Sequence, residues 1–443
     1  MKKLFSSLFV ILAFQHVSIS QPVWPTIKAN ATFTVHDTSF LTPGILPLNI
    51  GGWEDGLYVT RDGKNLYSTF LPIDVFSWLG DLEPCLDFTP YFRPPLLGMD
   101  TVTNPFGCNN FVHSDIIYSG RADTSQSFTA WNGSNLEIPA TFEGGACGVL
   151  LNEDTFDVFV FTRDIGSAAG MELFFMSNVS VNPNTSTAVQ ILSSPEQEDN
   201  PHIERLNDST LLLFFDRERH IYYSLSYDNG ITWEAPLLVT NVLNDQAPYD
   251  IQPHLWNDGS DWWMFFCADN TAGRRCIYKS KQMIAGDWNS WSPKQIVIEP
   301  GEIDDGNPDT HVAGIGEPTL TEYGDLYFVA IYADLSSADT TDVYDCDPWI
   351  LPAKQSVVGG LSNENIAKIN FTIYPNPAKE SVNIKFSKPI DDILEIIDMS
   401  GRVLDSEPLN GQDVELDVSH LPGGMYLLKL KNNPTVTQRL IVK

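Results

Sequence analysis

The 443-residue chain carries 57 acidic against 26 basic side chains, a formal charge of −31. Such a surface repels nucleic-acid backbones and anionic lipid, which excludes nucleic acid and membrane surfaces as partners. Past the first twenty residues nothing approaches 18 uninterrupted apolar positions, so the mature chain is not expected to be an integral membrane protein.

The first twenty residues read MKKLFSSLFVILAFQHVSIS. Lys2 and Lys3, the apolar stretch Leu4 to Phe14 and the small-residue site Ser18-Ile19-Ser20 have the anatomy of a secretory signal peptide over residues 1–20. The acid is not evenly spread. Residues 21–365 hold 47 acidic and 15 basic side chains, whereas 366–443 hold ten and nine. That surplus favours solubility and works against capture of a highly sulfated polymer.

Between residues 30 and 352 helical patterns are scarce, and short apolar runs alternate with Gly, Asn, Asp and Pro turns. DVFVFTRD, MELFFMS, TLLLFFD, IYYSLS, WWMFFC and LYFVAIY are strand candidates, and together they predict an all-β domain. They also repeat. DNPHIERLNDSTLLLFFDRERHIYYSLS, from Asp199, parallels DIQPHLWNDGSDWWMFFCADNTAGRRCIYKS, from Asp250, with Pro201 and Pro253 52 residues apart. Four short strands at a period near 50 residues predict a β-propeller over residues 21–352. Five blades begin near Trp53, Ala146, Asn200, Gln252 and Glu317, and ATFTVHDTSF is a candidate sixth. A plain β-sandwich would leave the repeat unexplained.

Six cysteines in an exported chain permit disulfides, with no C-x-x-C pair to suggest a zinc ribbon or redox motif. Cys267 and Cys276 end and begin neighbouring strand candidates, so they form one expected pair. Cys85 and Cys108 bracket a Pro-rich excursion that a second bridge would tie down.

SYDNGITW, Ser226 to Trp233, fits S-x-D-x-G-x-T-W without mismatch. It resembles the Asp-box of sialidases and related propellers, which implies a turn between the third and fourth strands of a blade, away from substrate. Asp228 is suited to cap that turn and Gly230 to supply its left-handed position. PYFRPPLLG resembles the F/Y-R-I-P motif of sialidases, with Arg93 as the carboxylate-binding arginine. Its place inside an insertion, and the lack of partner arginines on inner strands, argue against sialidase chemistry.

The inner-strand starts carry the candidate site. Glu54 and Asp55, Asp199 and His202, Asp250 and His254, and Glu317 are expected to converge at one channel mouth, with Trp53 available to stack on sugar. Crowded carboxylates raise one another's pKa, which divides the roles of acid and base that glycoside hydrolysis needs. Five-bladed furanosidase-type glycoside hydrolases look similar. The resemblance implies Glu317, before Pro318, as proton donor, although their donor sits in a middle blade. Asp55, Asp250 and Glu54 are the candidate partners of Glu317, with Asp55 or Asp250 as base. No cofactor is required, and the site metal is unknown. Calcium suits the acidic mouth or the loop GEIDDGNPDTHV.

After a Gly/Ser/Asn-rich linker, residues 353–365, strand patterns VNIKFS, ILEIIDMSG, VELDVS, MYLLKLK and TQRLIVK predict a small β-sandwich over 366–443. YPNPA, DMSGRV and DVSHLPGGMY, closed by RLIVK, resemble the type A C-terminal sorting domain of the type IX secretion system of Bacteroidetes. That implies passage through the periplasm and type IX machinery, then secretion or anchoring at the outer-membrane surface. The whole chain reads as an exported propeller acting on extracellular glycans, a glycoside hydrolase if an enzyme. The alternative is a non-catalytic propeller that binds glycan or protein at the same mouth.

Overall fold

The computed structural model describes residues 24–48, 50–77, 113–136, 138, 141–164, 170–183, 187–240, 250–303, 305–337, 342–354, 371–398, 402–431 and 437–443. The expected signal peptide, Arg93, Cys85, Cys108 and most of the expected linker lie outside these residues. The chain divides into two compact units, 1–360 and 361–443. Among the described residues no helix is long and apolar enough to cross a membrane.

The first unit opens with a short helix, α1 (Trp24–Ala29), and the strands β1 (Ala31–Val35) and β2 (Gly44–Ile45). Antiparallel blades follow. The first is β3 (Trp53–Val59), β4 (Asn65–Leu71), β5 (Asp115–Gly120) and β6 (Asn132–Gly133). The second is β7 (Phe142–Asn152), β8 (Thr155–Asp164), β9 (Met171–Ser180) and β10 (Val189–Ile191). The third is β11 (Glu198–Arg205), β12 (Leu211–Arg217), β13 (His220–Ser226) and β14 (Leu237–Leu238). The fourth is β15 (Ile251–Asn257), β16 (Trp262–Asp269), β17 (Arg275–Lys281) and β18 (Gln295–Ile303). The fifth has β19 (Thr310–Leu320), β20 (Leu326–Asp334) and β21 (Tyr344–Leu351), and takes β2 from the start of the unit as its outer strand.

The inner strands lie against one another in a closed ring, β3 on β7, β7 on β11, β11 on β15, β15 on β19 and β19 back on β3. The fold is a five-bladed β-propeller whose last blade is completed by the beginning of the domain. ATFTVHDTSF founds no sixth blade: β1 pairs with β18 as an extra outer strand of the fourth.

A blade's middle strands are covered on both sides by neighbouring blades, which explains their continuous apolar runs. In TLLLFFD, Leu211, Leu213 and Phe215 pack into the core shared with the first and second blades. Leu212 and Phe214, pointing the other way, join Leu255, Met264 and Phe266 of the fourth.

SYDNGITW lies between β13 and β14. Asp228 accepts bonds from the Thr232 N–H (2.8 Å) and hydroxyl (2.6 Å), and the Ser226 hydroxyl accepts one from the Gly230 N–H (2.8 Å). Gly230 has φ 87° and Trp233 packs edge-on to Phe175 of the second blade.

The expected Cys267–Cys276 bridge is absent, and both thiols are free. Cys267 pairs across the sheet with Ile277, and Cys276 with Ala268. Side chains alternate along a strand, so the two sulfurs stand on opposite faces.

The second unit is β22 (Phe371–Tyr374), β23 (Ser381–Asp398), β24 (Val403–Asp417), β25 (Gly424–Leu430) and β26 (Thr437–Val442). The long β23 pairs with β22, β24 and β25, and the strands enclose a core that includes Val382, Ile384, Leu394, Ile396, Leu428 and Leu440.

Candidate active site

Each inner strand is broken at the same place. One residue takes a left-handed conformation there: Gly56 (φ 52°), Gly145 (49°), Asn200 (50°), Gln252 (60°) and Glu317 (55°). At each break the register with the second strand of the blade slips by a bulge. Glycine fills two of the five positions, as left-handed geometry favours. Asn200, Gln252 and Glu317 do not have that freedom, and each precedes a proline, which itself disfavours this geometry. Non-glycine residues held this way cost about 1–3 kcal/mol each and cluster where function demands them.

The ring is fastened blade to blade through the second strands. The Thr69 hydroxyl accepts the Gly145 N–H at 3.1 Å, and the Asp216 carboxyl accepts the Gln252 N–H at 2.9 and 3.1 Å. Thr162 donates to Asp199 at 3.3 Å. These ring positions line a small polar depression with Tyr58, Cys147, Pro201, Pro253, His254 and Pro318.

The residue just before each break decides which acids meet. Asp55 and Asp199 occupy that position, and their charges reach Glu317 from the first and third blades. Glu317 hydrogen-bonds Asp55 directly. Asp216, on the second strand of the third blade, completes the cluster. It takes a bond from the Asn200 side chain at 2.8 Å.

Glu54 and Asp250 sit one residue earlier and turn away. Glu54 is fully buried, takes the Ile50 N–H at 2.8 Å, and lies beside Asp345 and Asp347 of the fifth blade. Those two acids are held by Lys28 of α1 at 2.8 and 2.7 Å. Asp250 is ion-paired with Lys294 at 2.8 Å. Glu143 with Arg163 and Glu198 with Arg217 occupy the equivalent positions of the second and third blades. Neighbouring strand residues face opposite ways, so Glu54 and Asp250 do not join the axial cluster.

Trp53 is corrected as well. It is 2% exposed, packs edge-on to Phe76 and donates its indole N–H to Asp55 at 3.2 Å, so no face is open to sugar. His202 and His254 lie two residues beyond the breaks, buried behind the acids with ring centroids 4.3 Å apart. Burial, foremost, holds both below the usual histidine range, so they are neutral. Arg61 backs them. Its guanidinium donates to Leu320 O (3.1 Å), Leu255 O and Glu204, tying the first blade to three others.

Burial sets the electrostatics of the cluster and the carboxylates' mutual repulsion sharpens it. Asp199 is pushed up to about 6 by burial and by Asp55, against bonds from the Asn200 N–H and Thr162. Asp216 is pushed up to about 8 by burial, against its bonds from Asn200 and Gln252. Glu317 stands well above the carboxylate range through burial, then Asp55, Asp199 and Asp216. Burial also raises Asp55, opposed by bonds from Trp53, Gly56 and Glu317. The bond between them raises Glu317 and lowers Asp55, so of the two carboxyls Glu317 is the one that favours the proton.

Asp216, Asn200 and Gln252 escaped the sequence reading. Their signal was present: an acid closing an otherwise apolar strand in LLLFFD, and a polar residue before each proline in N-P-H, Q-P-H and E-P-T. Among the described residues no group of three or more His, Cys, Asp or Glu is arranged to hold a metal ion. In the loop GEIDDGNPDTHV, Asp305 instead takes bonds from Asn307 N–H and the Thr310 hydroxyl, both 2.8 Å.

Residues 372–443 match the family of secretion system C-terminal sorting domains. The protein is therefore exported by the type IX route, to be secreted or held at the cell surface. No curated protein matches the chain. Solved structures that it is similar to include the catalytic domain of a GH62 α-L-arabinofuranosidase from Coprinopsis cinerea. Identity there is 11% and TM-score 0.38, over 70% of this chain and 95% of that one. A GH43 protein from Bacillus licheniformis gives 10% and 0.42, over 90% and 88%. An exo-β-1,3-galactanase from Clostridium thermocellum gives 10% and 0.38, over 88% and 81%.

Proposed function

We propose that the propeller, residues 21–352, is a glycoside hydrolase acting on extracellular glycans, exported by the sorting domain of residues 366–443. Glu317 is the proton donor. Asp55 is the base, and Asp199 tunes the pair. The observation that carries this reading is the buried Glu317 carboxyl, hydrogen-bonded to Asp55 and pushed well above the usual carboxylate range by burial and by the charges of Asp55, Asp199 and Asp216. A protonated acid beside an ionised carboxylate is the division of labour that glycoside hydrolysis uses. Entry of a glycosidic oxygen displaces Asp55 from the Glu317 proton, which then passes to the leaving group.

A second reading rests on the same contact. Carboxyls that bond each other directly are closer than the roughly 5–9.5 Å that known acid/base pairs keep for sugar or water. A mouth satisfied in this way suits a non-catalytic propeller that binds glycan or protein at the cell surface. One experiment separates the two. The purified protein is screened against polysaccharides and aryl glycosides, with and without calcium. Reducing-sugar release that falls about 10²–10⁴-fold in Glu317→Gln, with binding retained, supports the hydrolase. Unchanged turnover in Glu317→Gln rejects Glu317 as donor, and retention on an immobilised glycan without hydrolysis favours the binding module.

A further inference from the structure

Gln252 and Glu317 are consecutive members of the ring of left-handed residues, one from the fourth blade and one from the fifth. The Gln252 side chain grips Glu317 at two points. Its Oε1 accepts the Glu317 backbone N–H at 3.2 Å, and its Nε2 donates to the Glu317 carboxyl Oε1. Gly316 leaves room for the amide, since a Cβ there would stand 3.0 Å from Gln252 Oε1. Gln252 is itself held from behind, by its N–H bonded to both oxygens of Asp216.

In a protonated carboxyl the carbonyl oxygen is the stronger acceptor, so an amide N–H bonded to one oxygen favours the proton on the other. We infer that Gln252, anchored by Asp216, is the positioning residue of Glu317: its amide takes Oε1 and leaves Oε2 to hold the transferable proton. Neither Gln252 nor Asp216 acts on substrate in this scheme. The groups facing the Glu317 carboxyl are Asp55 of β3, Asp199 of β11 and Asp216 of β12, with the Cys267 thiol of β16 beside its backbone N–H. Gln252 is the neutral donor among them. The catalytic consequence rests on the hydrolase reading, whereas the hydrogen-bond arrangement does not.

The test is infrared difference spectroscopy of the purified, substrate-free protein. The Glu317 carboxylic C=O band is identified by its loss in Glu317→Gln. In Gln252→Ala the band moves to higher frequency because the carbonyl oxygen loses its donor. Asp216→Ala, which releases the Gln252 N–H, produces the same displacement. Gln252→Glu offers an O–H donor while protonated and none once ionised, so its band sits at the wild-type position at low pH and departs as pH rises. A folded Gln252→Ala with the band unmoved overturns the inference. Should that variant not fold, a Gln252→Glu band that ignores pH overturns it instead. Where a glycan is turned over, Gln252→Ala lowers kcat about 10²-fold with KM nearly unchanged, and Gln252→Glu regains activity toward acid pH. The band is read without substrate, so a chain that hydrolyses nothing would sink the hydrolase reading and leave this inference standing.

Discussion

Glu317, from the last blade, hydrogen-bonds Asp55, from the first, and the contact closes the acidic cluster across the seam where the ring of blades is completed. Two strands more than 250 residues apart in sequence thus supply one pair of interacting carboxyls.

Asp199 presses on that pair from the third blade. Its charge raises the Glu317 pKa, so removing it lets Glu317 lose its proton at lower pH. Asp199→Asn is expected to move the basic limb of the kcat/KM profile toward acid. A profile that stays in place, measured on any glycan the protein hydrolyses, would detach Asp199 from the site.

The same groups govern stability. Asp199 and Asp216 have folded-state values of about 6 and about 8, above the unfolded carboxylate near 4. Between pH 4 and 8 the folded protein therefore binds more protons than the unfolded chain. That contribution is complete below pH 4 and is lost as pH rises through 6 and then 8. Tm is expected to be higher at pH 5.5 than at pH 8. In Asp216→Asn the difference shrinks, because the larger of the two titrations is gone.

Lys28 is the buried counter-charge of the closing seam. Burial opposes its charge, but Asp347 and Asp345 outweigh that and raise its pKa. Lys28→Ala strands two buried carboxylates beside Glu54, and breaking such a pair typically costs about 3–5 kcal/mol. All 11 tryptophans precede residue 350, so denaturant unfolding followed by tryptophan fluorescence reports the propeller unit alone. A change below 1 kcal/mol would mean that α1 is dispensable for closure.

Gly230 combines a left-handed backbone with close contact to the next blade. A Cβ there would land on the Phe175 ring. Gly230→Ala is expected to destabilise the propeller by about 2–4 kcal/mol, from backbone strain and overpacking together. The same fluorescence titration measures it, and turnover per folded molecule should not change.

How much of this was legible in the sequence differs residue by residue. The repeat that places Pro201 and Pro253 in register located the third and fourth inner strands, and Glu317-Pro318 marked the fifth. Asp199 and Asp250 looked equivalent because each precedes a P-H pair. Asp199 stands two residues before its proline and Asp250 three, and that single residue sends one carboxylate to the axis and the other to Lys294. Glu54 and Asp55 divide in the same way. Cys267 and Cys276 misled for a related reason, since adjacency of strand ends says nothing about which face a sulfur occupies.

Period and composition predicted an all-β propeller and its blade starts, and motif resemblance pointed to the turn at SYDNGITW and the C-terminal sorting module, because all of these are written in local stretches of the chain. Only the tertiary structure decided which carboxylates meet. That choice depends on a left-handed bulge in each inner strand and on second-strand groups such as Asp216, brought to the axis by ring closure rather than by any spacing in the chain.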